Sequence, residues 1–78
     1  MGVVASVAEL GVALRKARKH LGLTQAELAL AAGVGVRFLV ELEHGKPSVR
    51  LALVLRVIDA LGGELDLSGL PGEDSGHG

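Results

Sequence analysis

The chain has 78 residues, a formal net charge of −1, no cysteine and one aromatic residue, Phe38. That length makes a single domain that buries only roughly 60 to 65% of its unfolded surface, so a lone copy is marginal and a second copy is expected. Without cysteine, disulfides and thiolate metal sites are excluded, and the near-neutral charge excludes a polyanion binder whose whole surface is basic.

The charges are nonetheless segregated. Arg15, Lys16, Arg18, Lys19, Arg37, Lys46, Arg50 and Arg56 lie in the body of the chain, whereas residues 64–78 hold Glu64, Asp66, Glu73 and Asp74 with no Lys or Arg. No basic leader precedes a long apolar run, and no apolar stretch approaches the roughly 18 to 20 residues of a membrane span. A cytoplasmic protein with no membrane partner is expected.

In chain order, Ser6-Val7-Ala8-Glu9 reads as a capping box, and Val7, Leu10, Leu14, Ala17 and Leu21 recur every three or four residues, so a first helix runs from Ser6 to about His20. Thr24-Gln25-Ala26-Glu27 is a second box, opening a short helix with Leu28, Ala29 and Ala32 inward that stops at Gly33. Helical spacing resumes from Val36 to Glu43, with Leu39 and Leu42 inward, until His44-Gly45-Lys46-Pro47 ends it. Ser48 is positioned to cap a fourth helix reaching about Leu61 before Gly62-Gly63. That helix is apolar nearly all round, with only Arg50, Arg56 and Asp59 polar, so it should be covered on more than one side. Leu53 and Val57, one turn apart, are the expected dimer-interface residues on it. Glu64-Leu65-Asp66-Leu67 alternates like a strand, with Leu65 and Leu67 on one face. A lone strand must pair outside a helical chain, and its own copy across a two-fold axis is the economical partner.

The spacing Thr24-Gln25-x-Glu27-Leu28-Ala29-x3-Gly33-Val34, followed by Leu39-x2-Leu42-Glu43-x-Gly45-Lys46, closely resembles the phage-repressor or xenobiotic-response-element (XRE) helix-turn-helix family. The resemblance spans about Arg15 to Leu61. It implies a mainly α fold: a compact, repressor-like helix-turn-helix domain of four or five helices over residues 6–62, with a short carboxy-terminal β-strand for dimerisation within 63–70 and a disordered tail over 71–78. Gly33 supplies the clash-free turn, Ala29 a close helix approach, and Leu28, Val34, Leu39 and Leu42 the fixed crossing angle. The second helix of the pair can then enter a major groove about 12 Å wide.

By motif position, the family resemblance implies that Gly35, Val36, Arg37 and Glu41 face base edges. Arg37 would pair with guanine, Val36 would touch a thymine methyl, and Glu41 would accept from cytosine. Thr24 and Gln25, with Lys46 and Arg50 and then Arg15 and Lys19, are the expected phosphate contacts. Arg18 and Glu43 resemble the family ion pair that ties the first helix to the third, and are assigned to structure. Gly35 and Val40 depart from the family, which often has small hydroxyl residues there, so base readout is expected to be thinner and shape readout larger.

The expected partner is a double-stranded, palindromic DNA operator bound by a homodimeric repressor. The run Phe38-Leu39-x-Glu41-Leu42-Glu43-x-Gly45-Lys46-Pro47, with Val49-Arg50-Leu51 and the strand after Gly63, further resembles HipB-type antitoxins, which implies a kinase-like toxin as a second partner. The rival reading is an adaptor that keeps the fold but binds protein through Leu30, Leu53, Val57 and the strand. His20, His44 and His77 are isolated, Ser6, Ser48, Ser68 and Ser75 sit in no nucleophile context, and Gly33-Val34-Gly35 lacks a following Gly-Lys-Ser/Thr. No metal, cofactor or enzymatic activity is expected.

Overall fold

A computed structural model describes residues 4–67 and 69–72. Its helices are α1 (Val7–His20), α2 (Gln25–Ala32), α3 (Val36–Glu43) and α4 (Leu51–Ala60). The expected capping box forms in full at α2 and only by half at α1. At α2, Thr24 Oγ1 accepts from the Glu27 amide at 3.0 Å, and the Glu27 carboxylate accepts from the Thr24 amide at 2.8 Å. At α1, Ser6 accepts from the Glu9 amide, but Glu9 reaches one residue further back, to the Ala5 amide.

The turn between α2 and α3 rests on Gly33, whose φ of 72° is left-handed and disfavours any side chain. From it the Val34 amide reaches back 3.0 Å to the Ala29 carbonyl, closing the helix end and turning the chain. α2 packs on α3 and α4, and α1 on α3. Between them lies an aliphatic core of Leu14, Leu28, Ala29, Ala32, Leu39, Leu42, Val54 and Val57, with Leu10, Val34, Phe38 and Ile58 among its partly buried neighbours. Leu28, Leu39, Leu42 and Val57 are fully buried, each contributing about 1.5 to 3 kcal/mol.

Three expectations are corrected. Ser48 does not cap α4; Arg50 occupies the N-cap, with no side-chain hydrogen bond, and the helix starts at Leu51. Val57 is not an interface residue, because it is 0% exposed within its own core, and Leu53 is only partly exposed. The outward stripe of α4 is instead Leu51 and Leu55, at 63% and 41% exposure. Finally, no strand occurs among the described residues: Leu65 and Leu67 are exposed on irregular backbone. Among the described residues there is no second strand to pair with their amides and carbonyls. Ser68 and residues 73–78, most of the expected tail, lie outside the described residues, as does His77. Among the described residues no helix is long and apolar enough to cross a membrane.

α1 meets the end of α3 backbone to backbone. A Cβ on Gly11 would sit 2.5 Å from the Leu42 carbonyl oxygen and 2.8 Å from that of Glu43. Gly11→Ala is therefore expected to destabilise the fold by about 1 to 3 kcal/mol through overpacking, even though alanine is the better helix former by about 1 kcal/mol. Urea denaturation measures this; a midpoint equal to or above that of the parent would show that α1 can lift off α3 without loss.

Candidate nucleic-acid interface

The presented surface is the start of α3, and what lies beneath it determines its pose. Leu39 and Leu42 anchor α3 in the core, and Glu43, also buried, ties it to α1. Arg18 donates from Nε to Glu43 Oε2 at 2.7 Å and from Nη2 to Oε1 at 2.9 Å, while its Nη1 holds the Leu23 carbonyl at 2.9 Å. Gln25 Nε2 adds a third donor to the same carboxylate, 3.1 Å from Oε1. Burial pushes the Glu43 carboxyl up, but the hydrogen bonds from Arg18 and Gln25, and the charges of Arg18 and Arg15, outweigh it and hold the group below the usual carboxylate range. Its bond to Glu43 raises Arg18 above the ordinary guanidinium value against the opposing effect of burial. One carboxylate thus joins α1, the start of α2 and the end of α3.

With that support, α3 turns its first residues outward. Gly35 is its N-cap, extended and without a side-chain capping bond, and Val36 is exposed. The Arg37 side chain is 93% exposed, and its Nε lies 3.7 Å from Glu41 Oε2, one helical turn on. The other Glu41 oxygen is 3.3 Å from Lys46 Nζ. Arg37, Glu41 and Lys46 therefore form one charged cluster. Gly45, with φ of 82°, makes this possible by letting the chain double back, so that the Lys46 amide bonds the Glu41 carbonyl at 3.1 Å.

A second group forms at the start of α2, where a polar recess of about 340 Å³ is lined by Arg15, Arg18, Gln25, Glu43 and His44. Glu43 neutralises Arg18 there, which leaves Arg15 and the amino-terminal end of α2 as the sources of positive potential beside it. Gln25, expected at phosphate, spends its amide nitrogen on Glu43. Thr24, at the adjoining N-cap, is exposed, with its oxygen accepting from Glu27. Lys19 and Arg50 are exposed, in the last turn of α1 and at the N-cap of α4, and join neither group.

Sequence reasoning missed two further residues. Arg56 of α4 donates to the Gly33 carbonyl at 3.3 Å, placing a cation at the negative end of α2. His44 has Nδ1 2.8 Å from the Val40 carbonyl and lines the recess. Neither has a local signal, since the first contact joins residues 23 apart and the second depends on how α3 ends.

The family model described as Helix-turn-helix (HTH_3) matches residues 14–68, which contain α2, the Gly33 turn and α3. The chain belongs to the XRE-type helix-turn-helix family of transcriptional regulators. Within this helix-turn-helix family it is 47% identical over 66 residues to the uncharacterised HTH-type transcriptional regulator y4mF of Sinorhizobium fredii, covering 85% of this chain and 86% of that protein. Among solved structures, the restriction-modification controller protein C.AhdI from Aeromonas hydrophila is 31% identical, with a TM-score of 0.69 over 74% of this chain and 88% of its own. HipB, solved in a complex with an O4 20mer, shares the fold with a TM-score of 0.82 at 22% identity over 88% of this chain and 97% of its own. It is also solved in a HipA–HipB–O2–O3 complex, with a TM-score of 0.81, 22% identity and the same coverage.

Proposed function

We propose that this regulator is a cytoplasmic, homodimeric, sequence-specific DNA-binding repressor that lays α3 in the major groove of a palindromic operator. The observation that carries the reading is that α3 is clamped from beneath by Leu39, Leu42 and the Arg18–Glu43 pair while Val36 and Arg37 are exposed at its start. Gly35, Val36 and Arg37 face base edges, on the same surface as Glu41. Arg15 and Gln25 at the recess, with Thr24, Lys19, Lys46 and Arg50 outside it, hold phosphates. Two copies place their recognition helices about 34 Å apart, one duplex turn, and occlusion of a promoter is the simplest means of repression.

The dimer uses the exposed stripe of Leu51 and Leu55 on α4, extended by Leu65 and Leu67 within a dimerising segment over 63–70. The fold shared with HipB, which is solved together with HipA, supports a role as the antitoxin of a toxin operon with a kinase-like toxin as corepressor. A kinase-like reading frame beside this gene tests that assignment directly.

Titrating the protein with its own upstream DNA at several salt concentrations tests the central claim. A DNA reader loses affinity with a log-log slope of about 0.9 per phosphate contacted; no measurable affinity at low salt would reject the reading. Arg37→Ala is expected to relax preference at one base position by about 1 to 3 kcal/mol, whereas Lys46→Ala weakens all duplexes alike and lowers the slope by about 1. Identical behaviour of the two variants on specific and random duplexes would contradict this division of roles.

A further inference from the structure

The cluster on α3 carries one more inference, which rests on the DNA-binding reading above. We propose that Glu41 is an internal counterion that DNA must displace from Arg37 and Lys46, and that it sets specificity by suppressing binding to unrelated sequences rather than by reading a base. The geometry assigns this role. The carboxylate lies between the two cations, with one oxygen 3.7 Å from Arg37 Nε and the other 3.3 Å from Lys46 Nζ. Both pairs are exposed enough to be weak and exchangeable: the side chains of Arg37, Lys46 and Glu41 retain 93%, 46% and 35% of their accessible surface.

What replaces the carboxylate decides the outcome. A phosphate oxygen offers Arg37 and Lys46 the same kind of partner that Glu41 already provides, so exchange on a random duplex gains little. Glu41, left among phosphates, then repels them. A guanine edge offers Arg37 two acceptors in a plane, a geometry that a single contact to the carboxylate does not match. The exchange is therefore favourable where the sequence supplies that edge. A base-reading role for Glu41 makes the opposite demand, because its oxygens would have to leave both cations to meet a cytosine amine.

Glu41→Gln tests the proposal. The probes are a randomised duplex pool of about 30 base pairs, roughly three helical turns, and the duplexes that the wild-type protein selects from it. The variant is expected to bind the unselected pool about threefold to tenfold more tightly, as two weak ion pairs no longer compete. Its log-log salt slope on that pool should steepen by about 0.9 for each phosphate contact recovered. Selected duplexes gain less, so the ratio of selected to unselected affinity falls.

If Glu41→Gln instead weakened the selected duplexes and left the pool unchanged, Glu41 would be a base reader and the proposal overturned. Unchanged affinity and slope on both probes would overturn it equally. In the free protein, the Arg37 Nε and Lys46 Nζ nitrogen resonances should shift on Glu41→Gln, and no shift would mean there is no pair to displace, whatever the DNA results. A wild-type protein that selected no duplex would instead reject the underlying DNA-binding reading, an outcome recognisable before any variant is made.

Discussion

Arg18→Ala is expected to lose about 3 to 5 kcal/mol of stability and to leave the chain marginally stable at room temperature, since a small domain has roughly 5 kcal/mol in total. The size follows from what is orphaned. Glu43 would remain buried with its Nε and Nη2 partners gone, and the Leu23 carbonyl would lose its donor. Arg18→Lys should fare little better, because one ammonium cannot span acceptors that a guanidinium fork reaches through three nitrogens. Replacing Arg18 and Glu43 together by apolar residues of similar volume should cost less than either single change, since no charge is stranded. The same carboxylate sets an acid limit. Its folded-state pKa lies below the usual range, so its contribution is fully present above the unfolded carboxylate value of about 4.3 and is lost as pH falls through the lower folded value. Urea midpoints and helical circular dichroism follow both effects. A wild-type midpoint in Arg18→Ala, or an Arg18→Ala variant that lost stability in acid as steeply as its parent, would rule out this role for the pair.

Leu55→Asp is expected to convert a dimer to a monomer in sedimentation and, by uncoupling the two half-site contacts, to lower affinity for a palindromic duplex by about 100- to 10,000-fold. Leu55 and Leu51 present exposed apolar surface on α4, so a charge there leaves the monomer's core untouched. Val57→Asp provides the contrast: it places a carboxylate in a fully buried position and should unfold the chain rather than dissociate it. A wild-type protein that sedimented as a monomer at micromolar concentration, or Leu55→Asp that remained dimeric, would remove α4 from the interface.

Where local chemistry decides structure, the sequence was legible. Thr24 and Glu27 announce the start of α2, Gly33 its end, and the spacing of Leu39 and Leu42 fixes which side of α3 is covered. α4 was misread for physical reasons. Apolar residues fill most of the helix, so its inward face is marked only by Arg56 and Asp59 lying opposite Val54 and Val57, while Leu51 and Leu55 flank them exposed. Its start is silent, because Ser48 and Val49 lie outside the helix and the Arg50 N-cap makes no capping bond. At the interface, the exposure of Arg37 could be read from helical register. The approach of Lys46 to Glu41 could not, as it depends on how the chain doubles back after α3. The diversion of Gln25 to Glu43 joins residues 18 apart and has no local trace.

The meeting of Gly11 with the carbonyls of Leu42 and Glu43 bears on how this sequence can drift. Leu14 and Leu39 belong to one side-chain core, where a gain of volume at one position can be balanced by a loss at another. Gly11 faces main-chain oxygen atoms that every residue type carries. No substitution at 42 or 43 can make room for a larger residue at 11. Randomising the three positions together should therefore return varied residues at 42, acidic ones at 43 to match Arg18, and glycine at 11 whatever its neighbours. Such a position changes only when the helices themselves move apart.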